Sequence, residues 1–301
     1  MVLLTGSSGF LGSSIVRELS NKQISFLTIG KNIKSDIICD LSIKVPIINL
    51  CYFDLVVHAA GKAHFIPKTG LGKIQFYNDN INITQNLLKG LEIAGYPKQF
   101  VFISSVAVYG RFTGDNILEN HRLEAIDPYG SSKIKSEEIV LEWCKKNNVI
   151  CTILRLPLLV GNNPPGNLGA MIKGVKRGYY FNVGGGKAKK SMVLVEDVAK
   201  VILDVAKIGG IYNLTDGYHP SFSELSYYIS IQLGKRKPMN VSNWLAVFVA
   251  KVGDLIGRNA PLNTSKLKKI TSDLTFDDSK ARNAFGWNPS YVLEGFHINN
   301  E

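Results

Sequence analysis

The sequence is short of acidic residues, of cysteine, and of any long apolar run. Aspartate and glutamate number 24 against 35 lysines and arginines, a formal charge of +11 over 301 residues. Such an imbalance draws phosphates, nucleic acids and anionic surfaces alike. The surplus is spread along the chain, with short clusters at Lys187-Ala188-Lys189-Lys190 and Lys266-Leu267-Lys268-Lys269. No long basic tail and no aromatic-basic register is present, which argues against nucleic acid and leaves a phosphorylated small molecule as the expected partner. The four cysteines, Cys39, Cys51, Cys144 and Cys151, form no Cys-x-x-Cys pair, and no histidine is placed to complete a zinc site. No metal is expected, and the thiols read as free in a reducing cytoplasm. Met1 runs straight into an apolar strand without the basic region of a signal peptide. The most apolar helix candidate, Trp244 to Gly257, is too short to span a bilayer and carries Lys251 and Asp254. It reads as a helix packed in a second lobe, with a membrane surface as the alternative.

Hydrophobic residues at 45% and charged residues at 20% fit a globular protein large enough for one big domain or two joined lobes. The stretch Asp127-Pro128-Tyr129-Gly130-Ser131-Ser132-Lys133 organises the rest. It opens an expected helix over 128–147, on which the Tyr129 phenol and the Lys133 amine lie one turn apart on the same face. A cation beside a phenol favours its ionised form, and such a pair can take a proton from an alcohol or return one to a ketone.

Val2 to Thr5 reads as a buried strand, followed at once by Gly6-Ser7-Ser8-Gly9-Phe10-Leu11-Gly12 and then by helical spacing from Ser13 to Leu19. Strand, glycine turn and helix in this order point to a dinucleotide, with Gly6, Ser8, Gly9, Phe10, Leu11 and Gly12 as its contacts. A second strand, Ile24 to Ile29, runs into Gly30-Lys31-Asn32 rather than into an acidic residue. A carboxylate there would select NAD by its ribose hydroxyls, whereas Lys31 would meet a 2′-phosphate, so the expectation tilts to NADP over NAD. Asp36 to Leu41 reads as a third strand whose end, Asp40 and Leu41, would meet the adenine. A fourth, Asp54 to His58, ends in Ala59, Ala60 and Gly61, small enough for the cofactor to lie against the backbone, with Lys62 beyond them toward substrate. A long helix follows from Gly72 to Ala94 and contains Asn80. A fifth strand, Gln99 to Ser105, carries serines at its carboxyl end, where open α/β sheets place their chemistry. Val149 to Arg155 is a sixth. Past Pro157 and Leu158 the pattern loosens into Asn162–Asn167, a short helix over Met171 to Arg177, and a turn at Gly184–Gly186. Val193 to Ala206 reads as a strand end passing into a helix, and Ile211 to Leu214 as a late strand returning to the main sheet. The expectation is α/β: a doubly wound parallel Rossmann sheet over 1–160 and about 190–215, with a smaller interwoven substrate lobe over 161–189 and 216–301.

Thr5–Gly12, His58-Ala-Ala-Gly61, Asn80-Ile-Asn-Ile-Thr84, Ser104-Ser-Val-Ala-Val-Tyr-Gly110, Tyr129-Gly-Ser-Ser-Lys133 and Thr275–Lys280 together resemble the extended short-chain dehydrogenase/reductase family, in its NAD-dependent epimerase/dehydratase branch. The resemblance implies that Ser105 hydrogen-bonds the reacting oxygen and Tyr129 exchanges the proton. Lys133 would hold the nicotinamide ribose and depress the phenol. Asn80 would fix the cofactor, and Pro157 and Leu158 would flank the nicotinamide. It also implies a nucleoside-diphosphate sugar as substrate, with Asn167 and Lys190 at the diphosphate. Many relatives have arginine at the Lys190 position, and a lysine lacks that planar bidentate fork. The branch's 4,6-dehydratases carry an Asp-Glu pair after the catalytic hydroxyl residue; Val106-Ala107 stand here and cannot ionise, which argues against a dehydratase.

Two enzymes then fit the residues. A 4-epimerase oxidises the sugar C4 hydroxyl and returns the hydride to the other face, with no net redox change. A 4-ketoreductase reduces a keto-sugar once. The missing acid after the second strand favours the reductase slightly. So does a likeness of Pro164–Leu168 through Lys190-Ser191 to small bacterial enzymes of surface-polysaccharide synthesis, some of which reduce 4-keto-6-deoxy amino sugars. A non-catalytic NAD(P)-sensing protein on the same fold is the alternative from another class; such proteins often lose the tyrosine or the lysine, and both are present. Outward apolar residues on the helices at 72–94 and 128–147 suggest a homodimer.

Overall fold

A computed structural model describes residues 1–49, 52–63, 69–256 and 263–298. The chain enters as β1 (Val2–Thr5), α1 (Phe10–Asn21), β2 (Phe26–Gly30), β3 (Ile37–Ile38), β4 (Leu55–His58), α2 (Gly70–Ala94) and β5 (Gln99–Ser105). It continues through β6 (Gly114–Ile117), α3 (Pro128–Lys146), β7 (Ile150–Leu156), β8 (Leu158–Val160), α4 (Gly166–Arg177), β9 (Phe181–Val183), β10 (Met192–Leu194), α5 (Val195–Val205) and β11 (Gly210–Asn213). The remainder is α6 (Phe222–Gln232), β12 (Met239–Val241), α7 (Asn243–Ile256), α8 (Thr264–Thr271), β13 (Leu274–Phe276), α9 (Ser279–Phe285) and α10 (Val292–Gly295).

Seven strands form one parallel sheet in the order β11-β7-β5-β4-β1-β2-β3. Chain order reverses between β1 and β4, which opens the crevice where such sheets bind ligands. Alternation along each strand sends side chains to two cores. Val2, Leu4, Leu55, Val57, Val101 and Ile103 pack with α1 and α5, while Leu3, Val56, Phe100 and Phe102 pack with α2 and α3. Both faces are thus covered, which is why these strands are continuously apolar.

The third strand is shorter than expected. Asp36 accepts hydrogen bonds from the Thr28 amide and hydroxyl, both at 2.8 Å, and Asp40 accepts from the Ser42 amide at 3.0 Å, so turns close on the ladder from both sides. The long helix begins at Gly70 because Thr69 caps it, its hydroxyl accepting the Gly72 amide at 3.0 Å. Ile211 does lie in a strand of the main sheet, β11, paired with β7. Pro157 has no amide proton to extend β7, and the chain beyond it leaves to pair β8 with β10. Two further small parallel pairs tie distant parts of the chain together, β9 with β12 within the C-terminal half and β6 with β13 between the two halves. Cys39, Cys144 and Cys151 are free thiols, and Cys51 lies outside the described residues, as does Gly257 at the end of the apolar helix.

Candidate active site

The glycine turn connects β1 to α1 and is shaped by backbone crowding. Gly6 has φ +75°, and a Cβ on Gly12 would lie 2.0 Å from the Gly6 carbonyl oxygen. Only glycines allow the helix to come this close to the strand end. α1 starts at Gly9 with no side-chain cap and no acidic residue in its first turn. Its first amides are left facing outward, a ready site for a pyrophosphate. A dinucleotide fits this cradle. Ala59 and Ala60 follow β4 next to it, the Ala60 amide donating to Thr5 Oγ1 at 3.1 Å, and Gly61 is exposed.

At the carboxyl end of β5, Ser104 and Ser105 point opposite ways. Ser104 is buried and donates to Glu137 at 2.5 Å. Ser105 faces the crevice, its Oγ accepting the Ala107 amide at 3.2 Å at the start of the short turn Val106–Tyr109. The hydroxyl proton of Ser105 is therefore left for another acceptor. Tyr129 approaches from the first turn of α3, close enough for the Ser105 hydroxyl to favour its ionised form. Asp127 fixes that turn by accepting the Tyr129 and Gly130 amides, both at 3.1 Å, with Pro128 pre-set for the first helical position. A Cβ on Gly130 would sit 2.7 Å from the Ala107 carbonyl, so glycine lets α3 seat Tyr129 directly over the Ser105 turn.

Lys133 lies one turn further along, 7% exposed, its Nζ donating to the Ile103 carbonyl at 2.8 Å and lying 4.7 Å from the centre of the Phe102 ring. Burial lowers its pKa to about 8, against the opposing pull of the Glu137 charge. Burial raises the Tyr129 phenol; the neighbouring Ser105 hydroxyl works against this and the Asp127 charge adds to it. The Lys133 ammonium is turned onto the strand carbonyl of Ile103. Beneath Lys133 runs a buried network that the sequence patterns do not announce. Arg155 on β7 donates to both Glu137 oxygens, at 2.7 Å to Oε2 from Nη2, to the Tyr109 hydroxyl at 3.1 Å, and to the Glu119 carbonyl at 2.9 Å. The one signal available was that Glu137 falls four residues after Lys133.

Other expected contacts have protein partners of their own. Lys31 is ion-paired with Asp40 at 2.8 Å. Although burial pulls the Asp40 carboxyl up, hydrogen bonds from Lys31 and Ser42 hold it below its ordinary value. Leu41 is buried in the core beside α2. Asn80 accepts the Lys62 amide at 2.7 Å and donates to Ser132 Oγ at 3.2 Å, so it clips the loop after β4 to α3. The Lys62 amine is paired with Asp79. Pro157 and Leu158 stand half-buried at the end of β7, and Asn167 is exposed near the start of α4. Lys190 is half-buried with its Nζ on the Ser272 carbonyl at 2.8 Å. Burial lowers its pKa to about 8, with the Asp273 charge pulling the other way.

Parallel strand order, the glycine cradle and a serine beside a tyrosine one turn from a buried lysine mark an enzyme of the extended short-chain dehydrogenase type. The profile of the NAD dependent epimerase/dehydratase family matches residues 2–214, and the chain belongs to that family. Among curated relatives, an Escherichia coli O157:H7 protein named N-acetyl-alpha-D-glucosaminyl-diphospho-ditrans,octacis-undecaprenol 4-epimerase is 28% identical over 97% of this chain and 91% of its own length. A Vibrio cholerae UDP-glucose 4-epimerase is 26% identical over 98% and 93%. Among solved structures, the UDP-glucose 4-epimerase of Thermus thermophilus in complex with NAD shares the fold with a TM-score of 0.74, at 19% identity over 98% of this chain and 96% of that one.

Proposed function

We propose that this chain is an NAD-dependent 4-epimerase of a sugar carried on a diphosphate. The observation that carries it is the Ser105 hydroxyl beside the Tyr129 phenol, with no ionisable residue at Val106 or Ala107, in a chain whose relatives named as 4-epimerases align over nearly its whole length. The uridine diphosphate of one relative's name and the polyprenol diphosphate of the other share a diphosphate, which the positive Lys190 would hold, with Asn167 at its side.

Tyr129 takes the proton of the C4 hydroxyl as that carbon becomes a ketone and returns it when the alcohol is re-formed. Ser105 donates its free proton to the reacting oxygen and fixes where that oxygen sits. Bound NAD would supply hydride exchange at the sugar carbon and, when oxidised, a positive charge that lowers the Tyr129 phenol. Lys133 keeps its proton at neutral pH and presents it to the ribose. The glycine cradle, Ala59, Ala60 and Asn80 support the cofactor from below. The case for NADP weakens, because the charge of Lys31 is already answered by Asp40. With it goes the slight preference for a ketoreductase.

On the same reading the enzyme is cytoplasmic and supplies sugars for surface polysaccharide. It is also a homodimer through the exposed Ile74, Ile93 and Leu141 of α2 and α3, which a monomeric mass in solution scattering would remove. Mass spectrometry of cofactor released from the purified protein, followed by incubation with UDP-N-acetylglucosamine or UDP-glucose, tests the reaction. The expected result is NAD and an equilibrium of C4 epimers without added reductant. Steady consumption of NADPH by a 4-keto sugar would overturn it. Tyr129→Phe should retain NAD and lose roughly 100- to 10,000-fold in turnover, the range for a general acid–base group.

A further inference from the structure

α7 is built inside out. Its buried residues are the small ones, Ala246, Ala250 and Gly253, spaced four and three apart on one face. Ala246 and Ala250 pack on Leu267 of α8, with Val183, Val241 and Ile270 alongside. The large apolar residues point away from the body: Trp244 is 73% exposed, Phe248 62% and Leu255 89%, with Val252 beside them. A helix in a globular protein normally turns its large residues inward. A contiguous outward apolar face of this kind, about 21 Å long at 1.5 Å per residue, marks a docking surface.

The net charge of the two helices points to its occupant. α7 and α8 together carry Lys251, Lys266, Lys268 and Lys269 against one carboxylate, Asp254, a sum of 4 − 1 = +3. Asp254 is itself tied to the Thr264 amide at 3.1 Å. Lys251 lies on α7 itself and Lys269 sits over the Phe112 ring at 4.2 Å; an apolar helix face on a net-positive helix pair matches the interface of an anionic bilayer, where the ring and aliphatic groups enter the acyl boundary and lysines meet lipid phosphates. A second copy of the same face would bring like charge against like charge. α8 links this face to the sugar site. The residue that caps its carboxyl end, Ser272, gives its carbonyl to Lys190, and the next, Asp273, accepts the Lys189 amide at 2.7 Å.

We propose that α7 docks on anionic membrane surfaces and so brings the Lys190 region to a sugar diphosphate whose carrier is a membrane-embedded polyprenol. The choice of carrier rests on the reading of Lys190 as a diphosphate anchor; the docking itself does not. Trp143 and Trp287 are buried, so a change in tryptophan emission on adding vesicles reports on Trp244.

The test is flotation and tryptophan fluorescence of the whole protein with vesicles of phosphatidylcholine alone and with one-third phosphatidylglycerol. Expected are co-flotation with the anionic vesicles, a blue-shifted emission, and release by salt. Trp244→Ser with Phe248→Ser should weaken flotation at least tenfold while epimerisation of a soluble UDP-sugar stays at the wild-type rate. A separate Lys251→Glu, Lys268→Glu variant, which leaves the apolar face intact, should weaken it as well. Absence of flotation with either vesicle would overturn the proposal. So would a wild-type dimer that the serine variant turns into a monomer, since α7 would then face a second copy. Flotation without epimerisation would remove the proposed function and leave the docking standing.

Discussion

Replacing Lys133 with methionine should change how the stability of the cofactor-free protein depends on pH while destroying its activity. The amine is 7% exposed and its pKa falls from 10.5 to about 8 on folding. That difference corresponds to about 3.4 kcal/mol spent on keeping a cation in the interior. Methionine removes this cost, but it also removes the bond to the Ile103 carbonyl and the contact with the Phe102 ring, together worth roughly 2–4 kcal/mol. The absolute change is therefore a small difference of larger quantities. Its pH dependence is cleaner. Between pH 8 and 10.5 the unfolded chain holds a proton on Lys133 that the native state has lost, so wild-type stability rises with pH through that window relative to the variant. The linkage cost of Lys133 is about 3.3 kcal/mol at pH 7 and about 2.0 at pH 9. The stability gap between variant and wild type should therefore shift by about 1.3 kcal/mol against the variant over those two units. Urea denaturation of both proteins at pH 7, 8 and 9, stripped of cofactor, measures it, and every other titrating group cancels in the comparison. A gap that stays flat across the series would mean that Lys133 is not a buried cation at pH 7.

Three other changes probe the remaining parts of the site. Gly12→Ala places a carbon 2.0 Å from the Gly6 carbonyl, so NAD affinity measured by calorimetry should fall at least a hundredfold, or the protein should fail to fold. Asp40→Asn frees the Lys31 amine from its 2.8 Å partner, and the NADP-to-NAD affinity ratio should rise about tenfold, the effect of roughly 1.4 kcal/mol of charge interaction; an unchanged ratio would place Lys31 away from the ribose. Lys133 and Lys190 both titrate near pH 8, so log kcat/KM of the wild type should approach a slope of −2 per pH unit above that point. Lys190→Arg keeps its charge, and its slope should be −1; equal slopes would take Lys190 out of substrate binding.

Much of the site was legible because its parts are local in sequence. The glycine turn is read from seven consecutive residues, and the Tyr129–Lys133 pair from a four-residue step on one helix. Asp127-Pro128 marked where that helix begins. What was not legible depends on contacts between strands far apart in the chain. That Glu137 would meet Arg155 needs α3 laid over β7, and that Arg155 would also hold Tyr109 needs β7 beside β5. The engagement of Lys31 by Asp40 follows from the shortening of β3, which in turn follows from two side chains, Asp36 and Asp40, capturing backbone amides. Alternation patterns do not register such captures, since they compete with the ladder through side-chain geometry rather than hydrophobicity.

Features that cost folding stability mark out a chain of contacts through this molecule. Lys133 is a cation buried beside the cofactor crevice. Lys190 is a half-buried cation, with its pKa also lowered to about 8. From Lys190 a hydrogen bond leads to Ser272 at the end of α8, and from α8 the small-residue packing leads to the outward apolar face of α7. A core chosen for stability alone would not bury Lys133, half-bury Lys190 or turn Trp244 and Phe248 to the outside. Local rules are broken in natural sequences mainly where function demands it. Three breaches, the last two joined by direct contacts, support the proposals that Lys190 anchors a diphosphate and that α7 docks on a surface.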